Sequence, residues 1–211
     1  MKTDKLIDAL VADRAPRGKP LRWMLAAALL AGGLVSFAFF LATLGVRADI
    51  GPALHTWRFE LKVGLVLLAL GLAFSLCIAL SRPVAPAHPG RRLLPLAALA
   101  VLAVAVELSV LPSVSWAGRL IGSNALVCLV AIPTLAIVPL AAVLAMLRSG
   151  APASPTLAGA AAGLLAAAAA AALYAFHCFD DSPLFVVTWY GLAALPVITL
   201  GAVAGRRLLR W

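Results

Sequence analysis

The chain has few charged residues: they make up 12% of its 211 residues, and only eight are Asp or Glu. A typical soluble domain carries about 25% charged and about 45–50% apolar residues, whereas 64% of this chain is hydrophobic. Too few polar side chains remain to cover a water-exposed surface of this length. The composition excludes a soluble globule and a disordered chain, and it indicates a membrane protein.

The sequence also lacks the common catalytic and cofactor signatures. Its three cysteines contain no Cys-x-x-Cys pair and its three histidines no His-x-x-His pair, so no specific metal motif is present. No Ser-His-Asp set, phosphate loop or zinc-protease signature is found. We predict that the protein is not an enzyme and that it has no obligatory cofactor.

Long apolar runs fill most of the chain. A helix needs about 20 apolar residues to cross a bilayer, and six such runs are present. They predict an all-α fold, a polytopic bundle of six transmembrane helices. The expected spans are about 23–46, 61–80, 93–111, 123–147, 156–176 and 184–204. Residues 1–22 form an N-terminal segment, 23–205 the transmembrane domain and 206–211 a tail.

Two runs have unusual composition. Pro133 and Pro139 fall inside the fourth run, which we keep as one helix because neighbouring groups can satisfy the carbonyls that proline leaves free. The fifth run is dominated by alanine. Small residues let helices approach closely, so this helix either lies inside the bundle or reflects a compositional bias only.

The charges are distributed unequally between the two sides. With six spans, the side of both termini carries thirteen Lys or Arg and three Asp, and the other side four Lys or Arg and five acidic residues. Positive residues accumulate in cytoplasmic loops. We therefore predict that both termini are cytoplasmic and attribute the net charge of +9 to topology, not to nucleic-acid binding.

The N-terminal segment has the pattern of a short amphipathic helix. Leu6, Ile7, Leu10 and Val11 form one apolar stripe, and Asp4 lies on the opposite face. The stripe can be buried against the membrane surface, the bundle or a cytoplasmic partner protein; the alternative is a solvated tail. Three aspartates in the segment weigh against the membrane surface, where Lys and Arg are usual.

Two cysteines fall on the side away from the termini. Cys128 lies just inside the fourth span, and Cys178 follows the fifth, beside His177, Asp180 and Asp181. Thiolate and imidazole ligands suit Cu(I) or Zn. The two carboxylates either receive a cation or cap the sixth helix, whose first turn holds Pro183. The third cysteine, Cys77, sits alone in an apolar run and is interpreted as packing.

Three further side chains stand out within the spans. Glu107 lies near the outer end of the third span, where a carboxylate either has a function or extends to the interface. Trp189 and Tyr190, together with Trp116 in the loop before the fourth span, are interpreted as interface aromatics or as packing.

The opening MKTDKLIDALVAD, the six spans and the stretch HCFDDSPLFVVTWYG resemble the NrsF family, six-span membrane anti-sigma factors of proteobacteria that regulate sigma-F negatively. The resemblance covers essentially the entire chain. It implies a location in the bacterial inner membrane and an ECF sigma factor as partner. It also implies a response to metal stress, such as copper, that depends on two cysteines. The matching positions are Cys128 and Cys178.

Together with these features, the resemblance implies a membrane-bound anti-sigma factor. We expect the N-terminal helix, with the loop from Arg82 to Arg92, to bind the sigma factor, and Cys128 and Cys178 to release it on sensing a metal or an oxidant. The regulatory ion is a soft metal, Cu or else Cd or Zn. The protein contacts membrane lipid and does not bind nucleic acid directly. The alternative is a small metal-related transporter or channel, but the spans offer few polar groups for such a path.

Overall fold

The computed structural model describes Thr3, Ile7, Asp8 and residues 20–84 and 86–210. These residues contain helices and no strand, and six of the helices are long and apolar enough to cross a membrane. The predicted all-α fold with six long helices is confirmed over this part of the chain. The helices are α1 (Leu21–Thr43), α2 (Trp57–Leu80), α3 (Pro89–Val110), α4 (Ser113–Leu147), α5 (Pro155–Tyr174) and α6 (Pro183–Leu208).

Several helix bounds differ from the expected spans, for local reasons. Helix α1 ends at Thr43, three residues early, because Gly45 adopts a positive φ of 68° and donates its N–H to Phe40. Helix α4 contains a short helix, Trp116–Ile121, before the long helix Ala125–Leu147. Gly122, with φ 57°, makes the turn between these two parts.

The alanine-rich helix α5 is the centre of the bundle. Of the residues in its most apolar stretch, 61% are buried inside the protein, a larger share than in any other of the six helices. It packs against α2, α4 and α6. The interpretation that this helix lies inside the bundle is confirmed. Helix α3 lies at the periphery of the bundle, where only 11% of its most apolar stretch is buried.

Helices α5 and α6 meet backbone to backbone through four glycines. A Cβ atom built on Gly159 would lie 2.2 Å from the Gly201 carbonyl oxygen, and one built on Gly201 would lie 2.4 Å from that of Gly159. Gly163 and Gly205 have the same relation to the opposite helix, with distances of 2.5 Å to backbone oxygens. No side chain fits in these places, so the glycines set the separation of the two helices.

Pro139 in α4 is accommodated by helix α1. Proline has no N–H, so the Leu135 carbonyl one turn earlier loses its donor within the helix. The Ser36 hydroxyl of α1 donates to that carbonyl at 2.7 Å. Gly32 brings α1 close enough, since a Cβ there would lie 2.8 Å from the Pro139 Cα. The fourth run is therefore one helix through Pro139, as predicted.

The two ends of the bundle differ in their polar residues. At the thiol end, named for Cys128 and Cys178, α1, α3 and α5 finish and α2, α4 and α6 begin. All five carboxylates of the ranges 20–84 and 86–210 lie towards this end. The opposite, arginine end carries eight exposed arginines: Arg22, Arg82, Arg91, Arg92, Arg148, Arg206, Arg207 and Arg210.

The glycine contact between α5 and α6 can be tested by adding one methyl group. Gly159→Ala should lower the free energy of unfolding by about 2 kcal/mol or more, because the new Cβ overlaps the Gly201 carbonyl and forces the helices apart. The measurement is unfolding of the protein in detergent micelles. Gly71→Ala is the matched control: its Cβ meets nothing within 4 Å, so this helical substitution should be neutral or stabilising. Equal stability of the two variants would contradict the close contact.

Candidate functional site: two buried thiols and a charged loop

The loop between α5 and α6, residues 175–182, is held by two cations at its centre. The Cys178 carbonyl oxygen accepts hydrogen bonds from Lys62 Nζ at 2.8 Å and from Arg47 Nη1 at 3.1 Å. Lys62 comes from the second turn of α2 and Arg47 from the segment after α1. Their exposed fractions are 1% and 7%. Two buried positive charges therefore point at the backbone of a single cysteine.

Asp181 supplies the negative charge that this arrangement requires. Its carboxylate pairs with Lys62 Nζ and, at 2.9 Å, with Arg47 Nη1. Arg47 also pairs with the exposed Asp49 at 2.7 Å. The hydrogen bond with Asp49 raises the pKa of the Arg47 guanidinium, against the effect of burial, and lowers the pKa of Asp49. Arg47 thus stays charged although it is buried.

Asp180 connects the same loop to α4. One of its carboxylate oxygens accepts the backbone N–H groups of Ser123 at 3.0 Å and of Asn124 at 2.9 Å, and the Asn124 side-chain amide at 3.1 Å. A negative charge at a helix N-terminus is favourable, and these residues precede the long helix of α4. Of the two roles expected for this carboxylate, the structure places it in a capping position, but on the fourth helix and not on the sixth.

Glu107 connects the loop to α3. The carboxylate, 3% exposed, accepts the Ser182 hydroxyl at 2.7 Å and the Leu184 backbone N–H at 3.0 Å. Its other oxygen lies 3.9 Å from Arg58 and 3.8 Å from Arg119. Glu107 therefore turns into the protein and does not extend to an interface.

The two thiols expected at this end lie together in the core. Cys128 of α4 and Cys178 are both fully buried, both free of disulfide bonds and close enough to interact electrostatically. The Cys178 thiol faces the carbonyl oxygen of Asp180 at 3.7 Å. Burial raises the pKa of Cys178, although the Lys62 charge acts in the opposite direction. Cys178 is therefore a thiol, not a thiolate, at neutral pH.

The structure gives the other expected ligand residues different contacts. His177 Nδ1 lies 3.1 Å from the Gly45 carbonyl oxygen, and Asp180 and Asp181 make the contacts described above. Within the described ranges, no group of three or more His, Cys, Asp or Glu residues is arranged to hold a metal ion. The two cysteines are the members of the expected set whose thiols lie close to each other.

The remaining expected residues lie elsewhere. Cys77 is buried in the last turn of α2, near the arginine end, among apolar side chains. Of the five residues expected to bind a sigma factor, Ile7 is helical and 52% exposed. Asp4, Leu6, Leu10 and Val11 lie outside the described residues.

Four residues of the site were absent from the sequence-based expectations for it: Arg47, Lys62, Tyr174 and Tyr190. The two tyrosines are buried beside the thiols, so Tyr190 is a packed residue and not an interface aromatic. The sequence could have pointed to Lys62, because a lysine at the start of an apolar run must either reach the membrane interface or pair with an acidic partner. The hydrophobic periodicity gives no indication that the two tyrosines lie beside the thiols.

Comparison with known proteins gives a consistent result. The family model NrsF, described as negative regulator of sigma F, matches residues 10–211. The chain is 38% identical to the anti-sigma-F factor NrsF of Caulobacter vibrioides (strain NA1000 / CB15N) and 36% identical to the probable anti-sigma-F factor NrsF of Azospira oryzae. Each alignment covers 100% of both proteins. No solved structure matches the chain.

Removing the charge of Asp181 or of Lys62 should lower the free energy of unfolding by different amounts. Asp181→Asn should lower the free energy of unfolding by about 3 kcal/mol, because it leaves Lys62 and Arg47 buried without their shared carboxylate. Lys62→Met should cost less, since Arg47 still neutralises Asp181. Unfolding in detergent measures both. The exposed Glu60 in the same helix gives the control Glu60→Gln, expected within about 0.5 kcal/mol of the unmodified protein. A larger loss for Lys62→Met than for Asp181→Asn would contradict this charge assignment.

Proposed function

The chain belongs to the NrsF family of negative regulators of sigma F, and from this premise we propose that it is an anti-sigma factor that holds a sigma factor of the ECF type at the membrane. A regulator of this kind acts by binding its partner and not by catalysis, in agreement with the prediction that the chain is not an enzyme. The bound sigma factor is kept from RNA polymerase, and its release starts transcription.

The charge distribution supports an orientation in the bacterial inner membrane. The arginine end holds eight exposed arginines, and the carboxylates of residues 20–84 and 86–210 lie towards the other end. This asymmetry favours an arginine end in the cytoplasm and a thiol end on the outer side. The sigma factor is then bound at the arginine end, and the stimulus arrives at the thiol end.

The proposed sigma-binding surface combines the N-terminal segment with the loop from Arg82 to Arg92. A cleft of about 300 Å³ lies beside this loop, between the end of α2 and the start of α3. Its lining includes Arg82 and Arg92 together with apolar side chains. Arg92 is held by a hydrogen bond of 3.2 Å to the Ser75 carbonyl. A basic, partly apolar cleft suits an acidic protein surface with apolar anchors.

The observation that carries the sensing proposal is the pairing of Cys128 and Cys178. The two thiols come from different elements, α4 and the loop after α5, and both are fully buried. Binding of one soft metal ion by both sulfurs, or their oxidation to a disulfide, would fix the distance between these elements. A metal ion can shift the equilibrium between the sigma-holding and the sigma-releasing state of the bundle only if it binds the releasing state more tightly than the holding state.

A reporter gene controlled by the sigma factor tests the sensor assignment. Cys128→Ser and Cys178→Ser should each abolish induction by copper or cadmium salts, because neither variant can join α4 to the loop through two sulfurs. Cys77→Ser is the matched control, since that thiol is equally buried but lies in the last turn of α2. Normal induction in both of the first two variants would refute the assignment.

Copurification tests the partner and its binding segment. The full-length protein should retain the sigma factor in detergent, and a variant without residues 1–22 should lose most of it, because the apolar stripe of the N-terminal helix has then been removed. Blue native electrophoresis of the variant controls for an intact bundle. Undiminished binding by the shortened protein would move the sigma-binding surface to the bundle itself.

A further inference from the structure

Both tyrosines of the chain lie beside the two thiols. The sequence contains two tyrosines in total, and their ring centroids are 5.8 Å apart. Tyr174 is fully buried and Tyr190 is 7% exposed. Each hydroxyl interacts electrostatically with Cys128 and Cys178, and each lies close enough to the Cys178 thiol for a weak hydrogen bond to it. Neither hydroxyl completes a hydrogen bond of normal geometry with any of the described residues.

Unpaired hydroxyls are unfavourable in such a place. Burying a hydroxyl without an acceptor is destabilising, and phenylalanine would fill the same space without that cost. A neutral thiol is a weak acceptor, whereas a sulfur that carries negative charge is a strong one. The two hydroxyls therefore have no good acceptor in the resting protein, but they gain one as soon as charge develops on either sulfur.

The backbone holds both rings in this position. The Tyr174 carbonyl accepts the N–H groups of His177 at 2.9 Å and of Cys178 at 3.0 Å, so Tyr174 and Cys178 share one turn. Tyr190 ends a π-helical turn, Val186–Tyr190, a form that often occurs at functional sites. Trp189 of this turn donates its indole N–H to the Leu120 carbonyl at 2.6 Å, which fixes the turn against α4.

The other donors near the sulfurs are already engaged. Lys62 and Arg47 bind Asp181 and the Cys178 carbonyl. Among the described residues, four buried side-chain atoms lack a hydrogen-bond partner: the two tyrosine hydroxyl oxygens, Arg58 Nε and Glu107 Oε1. The last two belong to the ion pair between Arg58 and Glu107. The tyrosine hydroxyls are thus the donors that remain for the sulfurs.

We propose that Tyr174 and Tyr190 complete the sensor site by donating hydrogen bonds to the sulfurs of Cys128 and Cys178 when these bind a soft metal cation. The inference rests on the proposed sensing function. As the cation binds, each thiol gives its proton to solvent, the two S–H bonds are replaced by two metal–sulfur bonds, and no oxidation state changes. The negative charge that stays on sulfur is then stabilised by the two hydroxyls.

Cu(I) binding tests this role. Purified full-length protein in detergent is titrated with Cu(I) in competition with a chromogenic Cu(I) chelator. Tyr174→Phe and Tyr190→Phe should each weaken Cu(I) binding by about tenfold or more, the effect of losing a hydrogen bond to a charged group. The thermal unfolding midpoint of the metal-free variants should be unchanged or higher. This opposite effect on binding and stability is not expected of a residue that only packs.

The control variant and the cysteine variants separate the outcomes. Phe185→Leu alters another fully buried aromatic residue without a hydroxyl, so it should lower the unfolding midpoint and leave Cu(I) affinity unchanged. Unchanged affinity in both tyrosine variants, or a loss that only follows a lower midpoint, overturns the role of the hydroxyls. If unmodified protein binds no Cu(I), or binds it equally well as Cys128→Ser and Cys178→Ser, metal sensing by the cysteines fails as well.

Discussion

The thiol end depends on the contact of two buried cations with one stretch of backbone. Lys62 and Arg47 bind both the Cys178 carbonyl and Asp181, and neither cation has much contact with solvent. Buried charges are tolerated only when they are paired and well hydrogen-bonded. The loop can therefore adopt few other conformations, because any that separates Asp181 from the cations would leave charge unpaired in an apolar surrounding.

The same loop contacts α2, α3, α4 and the segment after α1. His177 lies against the segment after α1, Lys62 comes from α2, Glu107 from α3, and Asp180 caps the long helix of α4. A displacement of the loop at Cys178 consequently changes several polar contacts together. At the arginine end α5 and α6 are locked by glycines whose backbones touch. A closely packed pair moves as one body, which offers a physical route from the thiols to the proposed sigma-binding surface.

The architecture of six long helices could be predicted from the hydropathy of the sequence and from the general behaviour of proline in membrane helices. Six apolar runs predict six helices, and Ser36 satisfies the carbonyl that Pro139 leaves free, as the general rule for membrane helices requires. The site was less accessible to sequence reasoning. Lys62 and Cys178 are 116 positions apart, so their contact depends on how α2 packs against α5. Asp180 showed capping chemistry in the sequence, but the helix that it caps is determined by the tertiary fold.

Burial of the thiols bears on which stimulus the proposed sensor would accept. A zinc ion is usually held by four ligands in a tetrahedron, and the described residues provide no cluster of three His, Cys, Asp or Glu at which such a site could form. His177 and both aspartates already have other contacts. Two sulfurs with two nearby hydroxyls instead suit a soft ion of low coordination number, for which thiolates are the preferred ligands. Among the candidate ions, this favours Cu(I) over Zn, because loss of the thiol protons in a buried site must be offset by strong metal–sulfur bonds.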